Sequence, residues 1–305
     1  METMLRATSY MYRTGQRVAR GLLVALCSVL GQAYLSIDAH AQDLDSNSVH
    51  WAYSSYFGTG WYEIRDNRDV YVLRVAPRWR LRESGFTTAG ERTVGVDLKL
   101  AITAGLDSLA LSDLPDAIAL DNFASLSVSP GIDITIPVTE LWTIRPYASL
   151  GWGRLLSENQ SAWTYWAGIK SRYTFSHGNL DWALINTLGY VDYTPSQGPS
   201  EDFWPLMTGL EFDYPFANFK LDGEQLFVSW HGTYTVLEND LDLTIVRGSL
   251  APISDQWEVG FALHKETSPI RAGWFKIDRL GLAYRFSSSG NLKGIGLVLR
   301  SAFDR

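Results

Sequence analysis

The chain has 305 residues, with 26 Lys and Arg against 33 Asp and Glu and a formal net charge of −7; that mildly acidic balance argues against nucleic acid as a partner. A single cysteine, Cys27, excludes a disulfide within the chain and any thiolate metal site built from several cysteines. The 12 Trp and 15 Tyr suit a surface that meets a lipid boundary.

Residues 1–41 read as a secretory signal. Arg6, Arg13, Arg17 and Arg20 form a basic start, "GLLVALCSVLG" is an apolar stretch, and Ala39-His40-Ala41 fits the small-x-small pattern, with cleavage expected after Ala41. The apolar stretch is shorter than the roughly 20 residues that a membrane helix needs, and charges interrupt every later one. A chain of this kind enters a membrane only as a closed barrel, because lipid offers no partner to an open sheet edge. Residues 42–48 are expected to be a short periplasmic lead-in and residues 49–305 the barrel itself.

From residue 49 on, the chain alternates apolar and polar side chains in runs of about ten separated by turn residues, the pattern of a transmembrane barrel; helical periodicity is largely absent. Over residues 70–81, Tyr71, Leu73, Val75, Trp79 and Leu81 oppose Arg74, Arg78 and Arg80. Over 93–103, Val94, Val96, Leu98, Leu100 and Ile102 oppose Asp97 and Lys99. "SVSPGIDITIPVTELWTIRPYASLGWGRLL" reads as two strands about a turn at Thr139-Glu140, with Asp133 and Arg145 on the polar faces. Further on, Trp163, Tyr165, Ile169 and Tyr173 oppose Lys170 and Arg172, while Trp204, Leu206, Leu210 and Tyr214 oppose Glu211 and Asp213. "LFVSWHGTYTV", "LDLTIVRGSL", "WEVGFALHKE", "DRLGLAYRF" and "KGIGLVLRSAF" continue the pattern.

Alternation alone does not separate a soluble sandwich from a membrane barrel; the spacing of aromatics does. Trp142 and Trp152, Trp163 and Tyr173, and Trp204 and Tyr214 are pairs ten positions apart on apolar faces. Ten strand residues tilted by about 40° rise about 25 Å, the distance between the aromatic girdles of a bilayer-spanning barrel. The apolar faces therefore expect lipid. Arg74, Arg78, Asp97, Lys99, Asp133, Arg145, Lys170, Arg172, Glu211 and Asp213 are expected to face the lumen, where their mixed signs suit ion pairing. The runs number about thirteen, and a single-chain bacterial barrel needs an even number. We take an all-β, antiparallel barrel of about twelve strands as the fold, with fourteen as the alternative.

"DVYVLRVAPRW", "SPGIDITIPVTELWTIRPYASLGWG" and "RLGLAYRF" resemble solitary autotransporter-like outer-membrane β-barrels, the translocator type without a passenger. The resemblance implies an outer-membrane location in a Gram-negative bacterium and a barrel of about twelve strands, with no established activity. The short interval after Gln42 agrees with the lack of a passenger. Leu297, Leu299 and Phe303 read as one face of a C-terminal strand that the barrel-assembly machinery would recognise, although Ser301 interrupts that row and Asp304 and Arg305 come after the terminal aromatic.

Ser229 and His231 share one parity of a strand, but side chains two apart there are about 7 Å from each other, too far for a nucleophile and its base. Glu211 and Asp213 read as partners of lumenal Arg and Lys rather than as an acid–base pair. Asp107, Asp113, Asp116 and Asp121 in the longest connection form a weak candidate Ca²⁺ loop, and no other metal or cofactor site is expected. The expected function is non-enzymatic: a structural barrel or narrow pore in contact with outer-membrane lipid and lipopolysaccharide. The alternatives are a barrel-embedded lipid-modifying or hydrolytic enzyme and an open-lumen transporter or translocator.

Overall fold

The computed structural model describes residues 58–64, 68–107, 125–155, 160–177, 180–196, 200–245, 249–265, 269–272 and 275–304. The expected signal with its cleavage after Ala41, and the lead-in 42–48, lie outside them. The first strands are β1 (Gly60–Ile64), β2 (Arg68–Val75), β3 (Arg78–Arg82), β4 (Gly85–Phe86), β5 (Arg92–Thr93) and β6 (Gly95–Asp107). They are followed by β7 (Ser125–Pro137), β8 (Trp142–Leu155), β9 (Gln160–His177), β10 (Leu180–Pro195) and β11 (Glu201–Leu221). The last are β12 (Glu224–Ile245), β13 (Ser249–Lys265), β14 (Ile270–Ala272), β15 (Phe275–Ile277), β16 (Leu280–Phe286) and β17 (Leu292–Val298).

A 13-stranded antiparallel sheet runs β2-β1-β17-β16-β13-β12-β11-β10-β9-β8-β7-β6-β3, and β2 pairs with β6 as well. Since β2 and β3 both lie along β6, they are two lengths of one stave. The interruption falls at Ala76 and Pro77, where proline has no N–H to give the ladder. The result is a closed barrel of twelve staves, sealed where β1 meets β17. The pairs β4–β5 and β14–β15 form small separate ribbons.

The surplus in the sequence count comes from "LDLTIVRGSL". Residues 241–245 finish β12, residues 249–250 begin β13, and the two pair with each other. Both strands run long, and a register shift between Val236 and Leu241 breaks the alternation that otherwise marks them as continuous.

The outer face is the reverse of a soluble protein's, and the interior holds charges. Leu73, Trp79, Leu81, Leu188, Leu206, Val259 and Leu282 are exposed, while Asp97, Asp133, Arg145, Lys170, Glu211 and Glu258 are buried. A sandwich in water would have no reason to bury this set and expose the other. Neighbouring aromatics meet on the outer face: Trp142 is the cross-strand partner of Tyr173, and Trp152 of Trp163. Tyr190 and Trp204 have ring centroids 4.8 Å apart.

Two features of the ends bear on the lumen. At the end where β17 finishes, β11 and β12 are joined by Asp222 and Gly223, with φ of 55° and 83°. Paired positive φ values make the tight turn whose twist matches a hairpin, and they explain the Asp-Gly there. The wall is also uneven: β11 and β12 have 21 and 22 residues, β1 has 5, and β16 and β17 have 7 each.

Candidate functional site: the barrel lumen

The lumen is occupied by side chains at three levels. At the end opposite the termination of β17, one apolar cluster gathers Tyr62 and Ile64 of β1, Val72 of β2, Val191 of β10, Phe203 of β11, Leu237 of β12, Ile253 of β13 and Leu292 of β17. In the ring, β1 and β10 stand on opposite sides. Side chains from opposing walls therefore meet across the lumen. Tyr62 fits because Gly294 faces it from β17, where a Cβ would strike the ring.

In the middle level, His231 of β12 meets Glu258 of β13, with Nε2 and Oε1 2.8 Å apart. Arg285 of β16 donates to the other oxygen of Glu258 from Nη2 at 2.6 Å and from Nε at 3.1 Å. Ser229 accepts a hydrogen bond from Arg279 rather than serving His231. Elsewhere in the lumen Lys99 Nζ donates to Asp133 Oδ1 at 2.7 Å. The Tyr147 ring sits between Lys99 and Lys170, 5.0 and 5.2 Å from their ammonium nitrogens. A Cβ at Gly168 would run into Tyr147, so the glycine makes room for the ring.

At the level nearest the end of β17, the chain turns inward. Phe303 does not lie on the outer face with Leu297, as the row of C-terminal apolar residues suggests; it is 2% exposed and packs with Ala183, Ile185 and Met207. The reason is that β17 stops at Val298, so strand alternation no longer governs the residues beyond it. Arg145 lies 4.2 Å above the Phe303 ring, and Lys170 Nζ donates to the Phe303 carbonyl at 3.3 Å. The Asp304 carboxylate takes Arg145 and Arg78, the latter at 3.1 Å, and Ser301 Oγ at 2.8 Å. Burial pushes the Asp304 carboxyl up, but Arg145 and Arg78 more than reverse this and hold it well below the usual carboxylate range. The Ala302 N–H donates to Glu211 Oε2 at 3.2 Å, and Arg279 Nη2 reaches Glu211 Oε1 at 3.1 Å.

Among the other sequence candidates, Arg78 also reaches Asp133 at 3.3 Å, and Asp97 accepts from Arg80 at 3.2 Å. Arg172 stands 3.9 Å from Glu211. Asp213 has Arg279 and His264, each at 3.3 Å. Arg74 is half-buried. Tyr214 is exposed and Trp204 half-buried on their outer parity. Asp113, Asp116 and Asp121 lie outside the described residues, as does the side chain of Asp107. Among the described residues no group of three or more His, Cys, Asp or Glu is arranged to hold a metal ion.

Sequence reading missed Glu258, Arg285, Arg279 and Asp304. Glu258 and Arg285 sit on the inner parity of β13 and β16, so alternation carried their signal. Arg279 and Asp304 lie in no strand, and no periodicity marks them.

A closed antiparallel barrel with apolar side chains outside and ion pairs inside is a membrane-spanning barrel of the outer-membrane type, and the outer membrane of a Gram-negative bacterium is its location. The chain is similar to the translocator domain of the autotransporter NalP from Neisseria meningitidis, at 11% identity over 77% of this chain and 82% of that one, with a TM-score of 0.50; this likeness shows a shared autotransporter-like barrel fold. It also aligns with the transport unit of the autotransporter AIDA-I from Escherichia coli, at 10% identity over 88% of this chain and 96% of that one, with a TM-score of 0.39. Searches of protein-family models and of curated proteins find no match.

Proposed function

We propose that this chain is an autotransporter-like outer-membrane barrel without a passenger, acting as a structural barrel or at most a narrow pore and performing no catalysis. The observation that carries this reading is the apolar cluster in which β1 and β10 meet across the lumen. A translocator or wide pore needs an open cross-section there, and the cluster fills it. In this reading the segment up to Ala41 is an export signal, lipid and lipopolysaccharide contact the outer face, and the barrel-assembly machinery inserts the chain.

The hydrolase alternative draws on the buried His231–Glu258 pair, but it needs a nucleophile on His231, and Ser229 is engaged by Arg279. The test is conductance of the purified barrel in planar bilayers, together with phospholipid hydrolysis in the same detergent. Small or no current and no hydrolysis are expected. A large, stable porin-like current overturns the closed-lumen reading, and hydrolysis lost in Ser229→Ala overturns the non-catalytic one.

A further inference from the structure

We infer that the segment after β17, residues 300–304, is an internal latch that crosses the lumen and holds the β1–β17 seam closed. The seam lies in the thinnest part of the wall on length alone: β1 has 5 residues and β17 has 7, against 21 and 22 in β11 and β12. Fewer ladder hydrogen bonds hold short strands, and a barrel that parts exposes unpaired edges to lipid. Something beyond the ladder is needed there, and the tail supplies it.

Its anchors lie far from the seam. In the ring, β8 to β11 face β1 and β17 from the other side. The tail reaches all four: Asp304 to Arg145 of β8, the Phe303 carbonyl to Lys170 of β9, the Phe303 ring against Ala183 and Ile185 of β10, and the Ala302 N–H to Glu211 of β11. Closer to the seam, Arg300 donates to the carbonyl of Ala76, in the break between β2 and β3, and Arg78 of β3 holds both the carboxylate and the backbone carbonyl of Asp304. The end of the seam strand is thereby tied to the rigid, long-stranded wall. Phe303 and Asp304 match their receptor in kind, a ring under a guanidinium and a carboxylate between two arginines. Of these contacts, those to Ala76 and Arg78 depend on closure: they lie in the stave beside β1, which comes next to the end of β17 only once the β1–β17 seam is made.

The test measures the temperature at which the folded band disappears in SDS gels, for the native chain, a chain ending at Leu299, and Asp304→Ala. Each is made alone and with a disulfide placed either across the seam, by Trp61→Cys with Ile295→Cys, or within the long wall, by Tyr173→Cys with Leu184→Cys. Both pairs are cross-strand partners. The expected result is a lower temperature for both tail variants, restored by the seam disulfide and not by the wall disulfide. Equal rescue by both disulfides overturns the latch, since the tail would then be general packing. Should the shortened chain yield no folded band, Asp304→Ala decides: heat resistance equal to that of the native chain overturns the proposal.

Discussion

Glu211 is 2% exposed; it accepts the Ala302 N–H at 3.2 Å and has two cations beside it, Arg279 at 3.1 Å and Arg172 at 3.9 Å. A buried charge of this kind adds little to stability while all its partners remain, but removing one partner strands it. Arg279→Ala leaves Glu211 and Asp213 short of their shared cation and is expected to cost about 3–5 kcal/mol, read as a lower urea midpoint of the refolded barrel. Tyr147 over Gly168 poses the same demand sterically. Gly168→Val is expected to lower that midpoint too, because the added side chain overlaps the ring. Asp304 carries a pH prediction. Its depressed pKa means that its contribution is present above the ordinary value of 3.8 and is lost only as pH falls through the much lower folded value. The difference in heat resistance between the native chain and Asp304→Ala should therefore hold from about pH 7 to about pH 4. Arg78, Arg145, Lys170 and Asp133 face the same site in both proteins; a difference that vanishes near pH 4 contradicts the assignment.

At the scale of the strand, β10 and β11 hold an exception on their lipid face. Asn186 and Thr208 are cross-strand partners on the outer parity, and Thr208 Oγ1 donates to Asn186 Oδ1 at 3.0 Å. Each lies four residues from an outward aromatic on either side, Trp182 and Tyr190 in β10 and Trp204 and Phe212 in β11, which puts the pair in the middle of the apolar belt. Thr208→Val alone should destabilise by about 1–3 kcal/mol by leaving the amide without its partner. Adding Asn186→Leu should recover that loss or more, checked by the same urea midpoint. Strands were the most legible elements because lipid outside and charge inside impose period two on both faces. Legibility failed where that period slipped: the bulge after Val236 made the joined ends of β12 and β13 look like a separate stave, and after Val298 nothing in the alternation foretold that Phe303 would turn inward.

For the whole molecule, the placement of hydrophobicity is inverted, and the lumen carries the specificity that a core carries in a soluble domain. The ring is closed, and it is expected to resist detergent. The unboiled protein should run at a different mobility from the boiled one in SDS gels, and its outer-membrane fraction should show the shift. The sequence by itself determined that the chain is a lipid-facing barrel of about twelve strands with charges turned inward, because two solvents of opposite polarity leave their mark on every strand. Only the tertiary structure decided which charges pair, that Tyr62 and Val191 join one apolar cluster from opposite walls, and that residues 300–304 lie within the lumen. Those facts depend on which staves face one another across the ring, and one strand's alternation has no term for a partner six staves away.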